Sequence, residues 1–113
     1  MLLDFDQARD FLKKHPRVSK EIHNTTRTFG FELKDGRHIA IKPLKTQITV
    51  FAEPGDWELM TESQWGIKAY AASKGRSSNL KQCAPRLDVG NTVVSLSLKS
   101  NHDFEKFFSV YLA

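Results

Sequence analysis

The chain has 113 residues, 40% apolar and 27% charged, with 17 basic and 13 acidic side chains for a net charge of +4. That length supports one domain with one core, the eight Phe, two Trp and two Tyr exclude wholesale disorder, and no apolar run approaches the roughly 20 residues of a membrane helix. A single cysteine, Cys83, excludes an intrachain disulfide, and the acids in Met1–Asp6 are unlike a secretory signal, so the expectation is a cytoplasmic protein with no cofactor and no membrane partner.

The first element expected is a helix over about residues 3–14. Phe5, Ala8, Phe11 and Leu12 recur at helical spacing, while Asp6, Arg9, Asp10 and Lys13 fall elsewhere. Pro16 ends it, because a residue preceding proline is driven out of helical angles.

Residues 26–51 read as β structure. Phe29, Phe31 and Leu33 alternate with polar or small residues, and Ile39 and Ile41 continue the alternation beyond Asp35-Gly36. That dipeptide predicts a two-residue type I′ hairpin turn. Pro43 closes the return strand, and the β-branched residues at 46–50 predict a third. A turn follows over Glu53–Asp56.

Two patterns compete over residues 57–75. Thr61-Glu-Ser-Gln64 matches a capping box, and Ala69, Ala71 and Ala72 favour a helix over 62–73 ending at Gly75. Trp65, Ile67 and Ala69 alternate as a strand would. Helix is the reading adopted.

Leu87 and Val89, then Gly90-Asn91, then Val94, Leu96 and Leu98 predict a second hairpin. Ser100 and Asn101 offer N-cap oxygens to a final helix, and Phe104, Phe107, Phe108, Tyr111 and Leu112 form its apolar stripe. These elements predict a single α+β domain over residues 1–113. An antiparallel sheet of about five strands (two hairpins plus one strand) packs against N- and C-terminal helices.

Function has one pointer. Between Glu62 and Asp88 there is no acid, yet Lys68, Lys74, Arg76, Lys81 and Arg86 lie there. Without those five, 12 basic residues face 13 acidic ones, a balance of −1. Phosphate recognition uses cations beside small residues that expose backbone N–H groups, and Lys74-Gly-Arg-Ser77-Ser78-Asn79 supplies both. Trp57, Trp65 and Tyr70 lie upstream, and Trp65 and Tyr70 are candidates to stack on bases. The expected interface is therefore Lys68, Lys74, Arg76, Ser77, Ser78, Asn79, Lys81 and Arg86, facing an anionic macromolecule, nucleic acid first. The plainer reading of the same stretch is a solvated surface whose lysines confer solubility.

An acidic protein surface is the alternative partner, as for an inhibitor or immunity-type module. A third reading is a metal-dependent phosphate-handling hydrolase. It uses the triplet Glu32-Leu33-Lys34 with Asp10 or Glu21 as the second carboxylate. The basic residues Arg9, Lys13, Lys14, Arg17 and Lys20 read as an exposed helix face interleaved with acids. His15, His23, His38 and His102 lack metal-pair spacing with one another or with Cys83. No catalytic residue and no metal ligand is expected.

Overall fold

The computed structural model describes residues 5–24, 28–44, 47–60, 65–70, 84, 87 and 92–112. In chain order these residues form α1 (Phe5–Lys14), β1 (Val18–Asn24), β2 (Phe29–Leu33), β3 (His38–Pro43) and β4 (Ile48–Ala52). A 3-10 turn (Asp56–Met60), β5 (Lys68–Tyr70), β6 (Val93–Leu98) and α2 (Asn101–Tyr111) follow. The strands make one antiparallel sheet in the order β1-β2-β3-β4-β6-β5. The α+β architecture with helices at both ends is as the sequence predicts, with six strands in place of about five.

Register explains the core. Phe29 opposes Ile41, Phe31 opposes Ile39, and Ile41 opposes Val50, which in turn opposes Leu96. Directly opposed residues in an antiparallel pair share a face, so these side chains form one apolar surface. Ala8 and Leu12 of α1 and Phe104, Phe107, Phe108 and Tyr111 of α2 are buried in the same cluster. Phe11, half-buried, meets the Phe104 ring edge-on at 5.3 Å and joins the two helices. Burying each large side chain contributes roughly 1.5–3 kcal/mol before entropy is subtracted. The Ser100 hydroxyl caps α2 by accepting the Asp103 N–H at 3.1 Å.

The second face has its own, smaller cluster. Ala40, Phe51 and Val93 point away from the helices, and Ala84 and Leu87 pack over them with the half-buried Tyr70. Among the described residues, the helices thus cover one face of the sheet and Ala84 and Leu87 cover part of the other.

Four expectations change. β1 is an added strand; its sequence VSKEIHN carries few apolar residues, and two register shifts against β2 break its alternation. At the hairpin, Gly36 has φ +91° but Asp35 does not have positive φ. The Gly36 N–H donates to the Leu33 carbonyl at 3.0 Å and the Leu33 N–H to the Arg37 carbonyl at 2.7 Å. The connection is therefore a type I turn closed by a left-handed glycine, one residue longer than a type I′ turn.

The helix expected over 62–73 is not formed at Lys68–Tyr70, which is the strand β5, paired with β6. Gly66, at φ +60°, turns the chain into that strand, and tertiary pairing overrides the alanine preference. The capping-box residues 61–64 and Gly75 lie outside the described residues. The expected hairpin of 87–89 with 92–98 is also replaced. Val94 is already paired with Ala52 on one side and Ala69 on the other. Leu87 instead closes a tight turn, its N–H donating to the Ala84 carbonyl at 2.8 Å. Val89, Gly90 and Asn91 lie outside the described residues.

Candidate nucleic-acid interface

Of the expected interface residues, Lys68 is described and is exposed on β5. Lys74, Arg76, Ser77, Ser78, Asn79, Lys81 and Arg86 lie outside the described residues. Both described ends of the acid-free span are fixed to the sheet. Lys68 opposes Ser95 and Tyr70 opposes Val93, so both side chains stand on the face away from the helices. Ala84 and Leu87, at 0% exposure, are sealed into the cluster on that same face. The span therefore leaves and rejoins one side of the sheet.

The aromatic residues divide. Trp65 is fully buried, its ring meeting Phe107 edge-on at 6.0 Å, so the expectation that it stacks on bases is corrected: neither face reaches solvent. Trp57 is likewise in the core, 6% exposed, with its Nε1 donating to the Glu53 carbonyl at 2.8 Å. Tyr70 alone of the three is half-buried at the surface, with the Lys68 ammonium 5.2 Å from its ring centroid. A cation over an aromatic face is attracted by the ring quadrupole, so Lys68 and Tyr70 form one small platform.

The N-terminal basic residues stand apart. α1 packs on the opposite face of the sheet from Ala84 and Leu87. Arg9 is engaged there in a two-pronged ion pair, its Nη2 donating to Glu21 Oε1 at 2.7 Å and its Nε to Oε2. The hydrogen bonds that Arg9 donates to Glu21 hold its pKa above the ordinary value despite an opposing desolvation cost. Arg9, Lys13 and Lys14 do not extend the face that carries Lys68 and Leu87.

The hydrolase geometry is not assembled. Glu21 opposes Phe31 and so faces the helices, while Glu32, the next residue along β2, points to the other side. Asp10 is on α1, also on the helix side. The sheet therefore separates Glu32 from both candidate second carboxylates. Glu32 instead approaches buried His38, with Oε1 3.6 Å from Nε2. Among the described residues no group of three or more His, Cys, Asp or Glu is placed to hold a metal ion. Cys83 lies outside the described residues.

A polar network ties the hairpin to α2. The Tyr111 hydroxyl donates to the His38 carbonyl at 3.0 Å and accepts the Glu53 N–H at 3.1 Å. The His38 N–H donates to Glu53 Oε2 at 2.6 Å. Arg37 donates to the Tyr111 carbonyl at 2.6 Å and lies over its ring at 4.3 Å. Burial pushes the Tyr111 hydroxyl far above the ordinary phenol range, so it stays a donor. The arrangement locks structure and offers no convergent groups to a substrate. A groove of about 270 Å³ between the helices, lined by Asp10, Phe11, Lys14, Phe104 and Glu105 among others, mixes both signs of charge.

One set of surface residues has no sequence signal because three strands supply it. Lys42 opposes Thr49, and Thr49 opposes Ser97, forming a half-buried polar row on the face away from the helices. Only the observed register reveals it.

Comparisons with protein-family models, with curated proteins and with solved structures return no match for this chain.

Proposed function

We propose that the protein is a small binding module that engages nucleic acid through the face of its sheet opposite the helices. The observation that supports this reading is the double anchoring of the acid-free span. Lys68 and Tyr70 start it on β5, and Ala84 and Leu87 return it to Ala40, Phe51 and Val93. A cationic segment held at both ends to a rigid sheet loses less conformational entropy on binding than a free tail does. Lys74, Arg76, Lys81 and Arg86 neutralise phosphates, the serines and Asn79 donate hydrogen bonds, and Tyr70 with Lys68 supplies the aromatic platform.

Fluorescence anisotropy with labelled oligonucleotides tests this. Binding weakens linearly on a log–log salt plot. Combined Lys74→Ala, Arg76→Ala and Lys81→Ala substitution weakens it on every sequence alike. No binding at low salt defeats the proposal.

An acidic protein partner is the second reading, favoured by β5 being the outermost strand of the sheet among the described residues, where an extended segment can add as a further strand. A stoichiometric protein recovered from nuclease-treated lysate, with no oligonucleotide binding, selects it.

A further inference from the structure

We propose that Arg17, Lys34 and Arg37 form a binding site for a phosphoryl dianion, that of inorganic phosphate or of a small phosphomonoester, in a hollow at the β2–β3 hairpin. The site is independent of the nucleic-acid reading above. Three separate parts of the chain build it. The turn between α1 and β1 brings Arg17, the hairpin brings Lys34, Asp35 and Arg37, and the end of α2 brings Leu112. The Lys34 N–H donates to the Arg17 carbonyl at 2.9 Å, which fixes these two backbones side by side. Buried Leu33 and Leu112 line the hollow beside the three cations. Its volume of about 30 Å³ has room for roughly two waters. It therefore accepts one compact anionic group, and the body of any ester stays outside.

Charge and donor geometry favour the dianion. The lining residues carry three cations and one acid, a balance of +2. A phosphomonoester carries about −1.5 to −2 near neutral pH, whereas a carboxylate or a phosphodiester carries a single negative charge. The acid, Asp35, is already engaged: its Oδ1 accepts the Arg37 N–H at 3.0 Å and its Oδ2 the Arg37 Nε–H at 2.7 Å. Arg37 also donates from Nη2 to the Tyr111 carbonyl at 2.6 Å and lies over the Tyr111 ring at 4.3 Å. The network around Tyr111 offers nothing to a ligand itself, but it holds this guanidinium in one orientation. A guanidinium has five N–H donors. Nε and one donor of Nη2 are used, so both donors of Nη1 and the second of Nη2 have no partner among the described residues. A fork held in this way matches two oxygens of one phosphoryl group with little further loss of entropy. Arg17 and Lys34 are exposed and enter no ion pair among the described residues, so their charge is left for the same anion.

The test is an NMR titration of the backbone amides of the full chain with phenyl phosphate, inorganic phosphate, diphenyl phosphate and benzoate, at about pH 7.5, where the phosphomonoester is a dianion. It is run on wild type, Arg17→Ala and Lys34→Ala; Arg37 is left in place because it also holds Tyr111. Phenyl phosphate is expected to shift the Lys34, Asp35 and Arg37 amides saturably, and to bind about tenfold more tightly than diphenyl phosphate or benzoate. Each single variant removes one exposed cation and is expected to weaken phenyl phosphate about threefold to tenfold, with thermal melts showing that it is folded. Inorganic phosphate binding as tightly as phenyl phosphate supports the site with the free anion as its ligand, and weaker binding supports it with an ester. The combined Lys74, Arg76 and Lys81 variant is expected to bind phenyl phosphate as wild type does. The site is overturned if the hairpin amides show no saturable shift, if both single variants bind as wild type, or if benzoate binds as tightly as phenyl phosphate. Loss of phenyl phosphate binding in the combined variant overturns it too. None of these four results removes the nucleic-acid reading, which stands or falls on oligonucleotide binding.

Discussion

The Tyr111 hydroxyl at the end of α2 and the His38 carbonyl at the start of β3 are joined by a buried 3.0 Å hydrogen bond, across 73 residues of chain. The same oxygen accepts the Glu53 N–H, so a single side chain satisfies backbone groups from both sides of β3–β4. Tyr111→Phe keeps the ring and removes the oxygen, leaving two backbone groups without that partner. The expected cost is about 1–3 kcal/mol, read as a lower denaturation midpoint with unchanged dependence on denaturant.

Gly36 is expected to resist substitution for a backbone reason alone. A Cβ there meets nothing within 4 Å, but φ is +91°. Gly36→Ala therefore costs about 1 kcal/mol through strain, not collision. A Gly36→Asn variant, which tolerates the left-handed region better, should recover part of the loss in the same denaturation assay.

His15 follows α1 and accepts the Arg17 N–H on Nδ1 at 3.1 Å. Desolvation first, and the charge of Arg17 second, lower its pKa from 6.5. A group with a lowered folded pKa is protonated more readily in the unfolded chain. Its contribution is intact above the unfolded pKa and is lost as pH falls through the folded one. NMR titration should place the His15 midpoint below 6.5, and His15→Gln should reduce the loss of stability over the acidic side of that window.

Leu87 is the anchor of the acid-free span. Its side chain is fully buried among Ala40, Phe51, Ala84 and Val93. Leu87→Ala removes that contact and is expected to cost about 2–4 kcal/mol. It should also weaken oligonucleotide binding without altering charge, so the salt slope should hold while affinity drops. Equal affinity in a folded Leu87→Ala protein would show that anchoring is irrelevant to binding.

Much of this architecture is legible in the sequence where one face of an element is strongly apolar. Phe29, Phe31 and Leu33 on β2 and the Phe104–Leu112 stripe on α2 announce both the element and its buried side. β1 is hidden because it is a charged edge strand whose register shifts erase the period. β5 is hidden because its three residues owe their conformation to β6, which lies more than twenty residues further along the chain. The local Gly90-Asn91 signal suggests a partner for β6 that β5 has already displaced. At the site, the concentration of charge can be read directly from residue types. The Lys42–Thr49–Ser97 row cannot be, because register is a property of paired strands and each residue alone is an ordinary polar position. The burial of Trp65 is hidden for the same reason: its ring packs on Phe107, a contact set by tertiary structure.

The most direct measurement is the affinity of the wild-type protein for a single-stranded oligonucleotide as salt is varied, beside the combined Lys74→Ala, Arg76→Ala and Lys81→Ala variant. The account predicts a linear log–log plot with a slope of about −3 for wild type, flattened by about 2 in the variant. A folded wild-type protein that binds no oligonucleotide at low salt, or binds with an affinity indifferent to salt, would contradict it.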